Sequence, residues 1–139
     1  MIILDTNVVS EPMKANGAPS VADWLDRQAA ETLYLTAVNL AELLVGVETM
    51  PAGKRREGVG AALAALIAEL FGARILPFDE DAARAYAALV ARARAKGVAL
   101  SVADAQIAAI ATVRGFVVAT RDTAPFVAAG VPIIDPWRA

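Results

Sequence analysis

The chain contains no cysteine and no histidine. Without them it can hold no Ser-His-Asp or Cys-His nucleophilic machinery, no imidazole or thiolate zinc site, no disulfide and no iron-sulfur cluster. Aromatic residues make up only 6% of the chain, and the lysines stop at Lys14, Lys54 and Lys96. Long apolar runs are missing too: the most hydrophobic stretch, Val59 to Leu76, contains Glu69 and Arg74. It falls short of the roughly 18 uninterrupted apolar residues that a membrane span requires. Any chemistry must therefore use carboxylates, hydroxyls, amides, Lys or Arg, with a hard, oxygen-bound cation as the natural helper.

What is present is a chain of 139 residues, 58% hydrophobic and 20% charged, with a net charge of -2 and about a quarter alanine. The length suits one domain spanning residues 1–139, which would bury on the order of 70% of its unfolded surface. A mean hydropathy of +0.51 is high for so few aromatics and points to self-association or a partner that covers apolar surface. Met1 runs directly into Ile2-Ile3-Leu4 with no basic leader, so a cytoplasmic protein without membrane attachment is expected. The near-neutral charge argues against global attraction to nucleic acid and leaves a local site open.

Strand and helix patterns alternate along the chain. Met1 to Leu4, Leu33 to Ala37, Arg74 to Phe78, Phe116 to Ala119 and Val131 to Ile134 read as short strands. Between them, Ser20 with Asp23 reads as a capping box, and Val38 to Val47 has helical spacing. After the break at Pro51-Ala52-Gly53, the residues Val59, Leu63, Leu66, Ile67 and Leu70 fall on one helical stripe. Asp79 is placed to cap a helix bearing Tyr86, Leu89 and Val90, and Ser101 with Asp104 forms a second capping-box pattern. A short helix around Phe126 separates the last two strands. Such alternation predicts an α/β fold with a parallel sheet and helices on both faces.

In parallel sheets reactive groups gather at the carboxyl edge, where strands end and helices begin. Asp5 follows the first strand, Glu42 lies about a turn into the helix after the second, Asp104 opens a helix, and Asp122 follows the fourth strand. Two like charges about 5 Å apart at an effective dielectric near 20 repel by roughly 3 kcal/mol. Four converging carboxylates would then cost over ~10 kcal/mol, about the whole stability of a domain. If they converge, a cation belongs among them, and oxygen-only ligands select magnesium or manganese. Asp104 and Asp122 also have plain readings as helix-capping residues, whereas Asp5 shows no ordinary capping or pairing role in the sequence.

Competing motifs fail on particular residues. Gly58-Val59-Gly60 has Leu63 where a dinucleotide fingerprint needs glycine, and Gly53-Lys54 is followed by Arg55 rather than Ser or Thr. Asp5-Thr6-Asn7 is not the Asp-x-Asp of a haloacid-type phosphatase, and no lysine follows the last strands as a receiver domain requires.

Asp5-Thr6-Asn7, Asn39-Leu40-Ala41-Glu42-Leu43, Ala103-Asp104-Ala105-Gln106-Ile107-Ala108 and Thr120-Arg121-Asp122 together resemble the PIN domain. Ser10-Glu11-Pro12, Ile75-Leu76-Pro77-Phe78-Asp79 and Asp135-Pro136-Trp137 extend the resemblance to the VapC/FitB-type toxins of bacterial toxin-antitoxin pairs. It implies a three-layer α/β/α fold with a five-stranded parallel sheet and a Mg2+- or Mn2+-dependent endoribonuclease that leaves 5'-phosphate and 3'-hydroxyl ends. By the same resemblance Asp5, Glu42, Asp104 and Asp122 form the acidic site. Asp5 and Asp104 are expected as direct metal ligands, with Glu42 and Asp122 binding through water or holding a second ion. Thr6 and Thr120 are expected to offer hydroxyls to metal-bound water, and Asn7 to brace the loop after the first strand. Pro125 stands where many relatives carry a further acid, which bears on the number of metals held.

The implied partners are RNA such as tRNA, a second copy of the chain in a homodimer, and a small cognate antitoxin that reaches DNA on the pair's behalf. Such an antitoxin lays apolar residues into a groove and presents an arginine to the acids. Lys54, Arg55, Arg56 and Arg121 are the candidate RNA contacts. A different class of function is a PIN-like binding module that works mainly with its DNA-binding antitoxin and has little nuclease activity.

Overall fold

The computed structural model describes residues 1–139 throughout. Five strands form one parallel sheet: β1 (Ile2–Leu4), β2 (Leu33–Thr36), β3 (Ile75–Leu76), β4 (Val117–Ala119) and β5 (Ile133–Ile134), in the order β3-β2-β1-β4-β5. The helices are α1 (Thr6–Ser10), α2 (Pro19–Asp26), α3 (Ala37–Glu48), α4 (Lys54–Leu66), α5 (Glu80–Ala95), α6 (Val102–Arg114) and α7 (Thr123–Ala128).

The two-residue period of the strands divides the core. Ile3 and Val118 point into one layer with Leu89, Ile107, Ile110 and Phe126 from α5, α6 and α7. Their neighbours Leu4 and Ala119 point the other way, to Val8, Trp24, Leu43 and Leu63 from α1 to α4. Both faces of the sheet are thus covered, which is why its strands are apolar almost without interruption. None of the helices is long and apolar enough to cross a membrane.

The outer strands are shorter than the apolar runs suggest. Each has a ladder partner on one side only, and Pro77 and Pro132 lack the N–H that would extend the pairing. The Ser20 capping box does not form: Ala18 is the N-cap residue of α2 without a side-chain bond, and Pro19 takes the first helical position. There its missing N–H costs nothing. The stripe from Val59 to Leu70 is also interrupted. After Leu66 the chain widens into a π-helical turn, Ile67–Phe71, closed by Gly72 N–H on the Ile67 carbonyl at 2.9 Å. The extra residue per turn rotates Phe71, which the stripe omits, into full burial.

Asp79 and Ser101 cap α5 and α6 as the sequence predicts, accepting from Ala82 N–H at 2.9 Å and Asp104 N–H at 3.1 Å. Helix α1 has no counterpart in the sequence reading, and Asp5 is its N-cap, accepting from Thr6 N–H at 2.8 Å. Asp5 therefore does have a capping role, one that the five-residue helix was too short to reveal.

Candidate active site

Strand order reverses between β1 and β4: from β1 the chain moves outward through β2 and β3, then returns to the other side with β4 and β5. A crevice opens at the carboxyl ends of such a pair. The register pairs Leu4 with Ala119, so Asp5 and Thr120 leave the sheet side by side. Asp5 N–H donates to the Ala119 carbonyl at 2.9 Å.

Asp5 is buried, 6% exposed, and each of its carboxylate oxygens has partners. Oδ1 accepts from Thr6 N–H at 2.8 Å and from Asn39 Nδ2 at 3.2 Å, and Oδ2 accepts from the Thr120 hydroxyl at 2.8 Å. Thr36 was not singled out from the sequence, and Asn39 entered only as the first residue of the Glu42 motif, with no role of its own. Both are fully buried. Thr36 caps α3 by accepting from Asn39 N–H at 3.0 Å, and its hydroxyl donates to Asn39 Oδ1 at 2.6 Å. The available signal was a polar pair three residues apart at a strand-to-helix junction, with Asn39 again three residues before Glu42 and so on the same helical face.

Glu42 comes from the exposed flank of α3 and accepts from the Thr6 hydroxyl at 2.9 Å. Asp104 sits half-buried in the first turn of α6. Burial is the main force raising the Asp5 carboxyl above its ordinary range; the negative charge of Asp104 adds to it, and the bonds from Thr120, Thr6 and Asn39 oppose it. Glu42 is raised for the same leading reason, with the charges of Asp5 and Asp104 adding to it. Three acids, Asp5 at the end of β1, Glu42 of α3 and Asp104 of α6, thus feel one another. Asp122 stands apart: it is exposed at the N-cap position of α7, makes no side-chain cap, and its N–H donates to Thr120 Oγ1 at 3.0 Å.

Both threonine hydroxyl protons are directed to carboxylates, Thr6 to Glu42 and Thr120 to Asp5. Asn7 lies in α1, not in a loop, and ties the ends of β1 and β4 together. Its Nδ2 approaches Thr120 Oγ1 at 3.5 Å and its Oδ1 accepts from Arg121 N–H at 3.3 Å. A cleft of about 300 Å3 adjoins Thr6 and Glu42 and is otherwise walled mainly by apolar residues of α3 and α4, including Leu43 and Leu63.

The basic candidates divide. Arg56 pairs with Glu48 at 2.9 Å, while Lys54 and Arg55 are exposed in the first turn of α4. The Arg121 guanidinium lies over the Trp137 ring, 5.1 Å from its centre. No basic side chain forms an ion pair with Asp5, Glu42, Asp104 or Asp122.

A PIN domain family model matches residues 2–131. The chain belongs to the PIN domain family. Within the family it is 51% identical to the VapC ribonuclease Y4jK of Sinorhizobium fredii over 99% of each chain. It is 50% identical to the plasmid stability protein StbB of Pseudomonas syringae pv. tomato over the whole of both. Toxin FitB of Neisseria gonorrhoeae is 43% identical over 99% of each. Among solved structures, FitAcB from Neisseria gonorrhoeae superposes with a TM-score of 0.96 at 42% identity, covering all of both chains. FitAB bound to an IR36 DNA fragment superposes at 0.94 and 42% identity, covering 99% of this chain and 96% of that one. This PIN domain is therefore of the VapC/FitB type.

The donor set of the PIN site suits a hard divalent cation: it is all oxygen, partly buried, and without a basic partner. Its side chains are not closed on a common point, since no three carboxylates are grouped as ready ligands. Glu42 is instead turned to Thr6. That bond engages Oε1 alone and leaves Oε2 open to a cation.

Proposed function

We propose that this PIN domain is the toxin of a two-protein toxin-antitoxin pair and hydrolyses RNA phosphodiester bonds with a divalent metal. The observation that carries the reading is the buried Asp5 carboxylate at the β1–β4 crevice, electrostatically coupled to Glu42 and Asp104 and left without any cation from the chain itself. The relatives named VapC ribonuclease and Toxin FitB support it.

In this mechanism Asp5 and Asp104 would hold the metal, and Glu42, kept by Thr6 at Oε1, and Asp122 would bind through water or hold a second ion. Bound Mg2+ or Mn2+ supplies Lewis acidity toward water and the phosphate oxygens. The chain's own groups do the orienting. Thr6 N–H and Asn39 occupy Oδ1 of Asp5 and Thr120 takes one site of Oδ2, which fixes the carboxylate and leaves one lone pair of Oδ2 for the cation. Asn7 clamps the β4 end against α1 and so holds the backbone from which Asp122 projects. Lys54 and Arg55, exposed and unpaired, are the proposed phosphate contacts.

A small antitoxin covers the surplus apolar surface. An apolar cavity of about 500 Å3 between α2 and α4, lined in part by Leu25, Leu66 and Phe71, is suited to apolar side chains from such a partner. DNA is reached through that partner, and a homodimer covers further apolar surface. Exposed Leu44 and Val45 on α3 are part of that surplus.

The test is cleavage of purified tRNA and total RNA with Mg2+ or Mn2+. Cutting should require metal, stop with EDTA, and fall at least about 100-fold in Asp5→Ala, as expected for loss of a metal ligand. Undiminished cutting by Asp5→Ala refutes the mechanism. Lack of cutting and of metal binding by the parent, with intact DNA binding by the antitoxin complex, would establish the binding-module reading instead.

A further inference from the structure

Two acids of the site, Asp5 and Glu42, are reached through one amide, that of Asn39, which has no solvent exposure. Its orientation follows from the bonds around it. Thr36 Oγ1 already accepts from Asn39 N–H, so the single hydroxyl proton of Thr36 is free for Asn39 Oδ1, 2.6 Å away. The NH2 end must then face Asp5 Oδ1 and Thr6 Oγ1, both at 3.2 Å. Two protons meet two acceptors, and nothing is left unpaired.

A consequence follows at Thr6. Because its oxygen receives a proton from Asn39, its own proton points away, to Glu42 Oε1 at 2.9 Å. One buried side chain thus sets the orientation of Asp5 directly and of Glu42 through a hydroxyl relay. The two acids come from different places, the β1–α1 junction and α3, and no other residue bonds to both Asp5 and the hydroxyl that holds Glu42.

We infer that Asn39 is the positioning residue of the acidic site: it fixes Asp5 and directs the Thr6 proton to Glu42, and so sets how the carboxylates are presented to a divalent cation. This inference rests on the metal-dependent reading given above. It involves no contact with RNA, and it makes the donor end of the amide the required feature. Asn39→Asp keeps the shape but presents an acceptor to Asp5 and draws the Thr6 proton away from Glu42. Asn39→Ser removes both Nδ2 bonds in a smaller side chain. Neither change touches the backbone N–H through which Thr36 caps α3.

Support for a positioning role would be folded variants whose kcat falls about 10- to 100-fold with KM unchanged, together with weaker Mn2+ binding of similar size by calorimetry on RNA-free protein. A purely structural role would lower the melting temperature and leave the kcat and Mn2+ affinity of the folded fraction intact, and that result overturns the inference. NMR of the unsubstituted protein gives a second readout that does not depend on variants folding. The Asn39 side-chain NH2 pair should exchange slowly with solvent and shift on addition of Mg2+; rapid exchange, or no shift in a protein that binds Mg2+, also overturns it. A parent protein that neither cuts RNA nor binds Mn2+ fails at the underlying reading and takes the inference with it. An active parent with parent-like variants fails at Asn39 alone.

Discussion

Replacing Thr120 with valine removes one hydroxyl and almost no volume from a fully buried site. That hydroxyl donates to Asp5 Oδ2 at 2.8 Å and accepts from Asp122 N–H at 3.0 Å and Asn7 Nδ2 at 3.5 Å. The first bond is to a buried charged group and is worth about 1.5–3 kcal/mol. Asp122 is exposed, so its N–H finds water, and the 3.5 Å contact is long enough to add little. For 139 residues the unfolding entropy is about 0.3 kcal/mol/K, so the melting temperature should fall by about 5–10 °C at neutral pH.

The pH dependence isolates the bond from the packing. The Thr120 bond lowers the carboxyl pKa of Asp5, a group whose burial already raises it. Without the bond the native Asp5 binds its proton still more tightly than the unfolded chain does. The added cost therefore grows as pH rises from the ordinary carboxylate range through the raised Asp5 pKa, and is smallest on the acid side. Thr120→Ser keeps the hydroxyl and loses one methyl, a cost of about 1 kcal/mol that should not vary with pH. Thermal unfolding of metal-free protein from about pH 4 to pH 8 spans the window. A valine variant that melts with the parent, or whose deficit is as flat with pH as that of the serine variant, would refute the assignment.

Two other substitutions test the same frame. Glu42→Gln retains an oxygen to accept from Thr6 and removes a charge whose carboxyl pKa lies above the ordinary 4.5. An acid raised in the native state loses stability as pH climbs through its pKa. The metal-free Gln variant should consequently melt higher than the parent at neutral pH, match it on the acid side, and cleave RNA poorly; a lower melting point across the range would contradict this. Phe126→Ala empties a fully buried position between α7 and α6, at a cost of about 3–5 kcal/mol. Denaturant unfolding should show that loss with an unchanged slope, and a deficit under ~1 kcal/mol would mean that α7 is not packed as described.

The parts of this molecule that were legible in its sequence are those governed by local rules. Ile3-Leu4 and Val118-Ala119 announce strands buried on both faces, and Asp79 and Ser101 announce helix starts that form as written. Order along the chain, together with the resemblance, nominated Asp5, Glu42, Asp104 and Asp122 for one sheet edge; the first three act on one another there, while Asp122 is exposed at the start of α7. What stayed hidden depends on meetings between distant segments. Asn39 reads as an ordinary polar residue in the first turn of α3, and its importance arises only because β1 delivers Asp5 and Thr6 to within 3.2 Å of its amide. The π-helical turn after Leu66 was invisible for a related reason. Its wider winding is held by tertiary features, the burial of Phe71 and the grip of the Arg74 side chain on the Leu70 and Leu33 carbonyls.

The way this protein holds Asp5 also bears on why a cation or a partner is needed. A buried carboxylate can be stabilised by neutral donors or by a counter-charge, and the two leave different residues of charge behind. Here every bond to Asp5 comes from a neutral group: a backbone N–H, an amide and a hydroxyl. These offset part of the burial cost and cancel none of the charge, so Asp5 and Glu42 remain raised. Meanwhile two candidates for neutralising the site are committed elsewhere, Arg121 to the face of Trp137 and Arg56 to Glu48. The fold thus keeps its own cations away from three coupled acids. A divalent metal on the proposed enzyme, or an arginine offered by an antitoxin, would answer the same unmet negative charge, and the two should compete: antitoxin bound through such an arginine should be weakened by raised Mn2+, and an antitoxin lacking it should not.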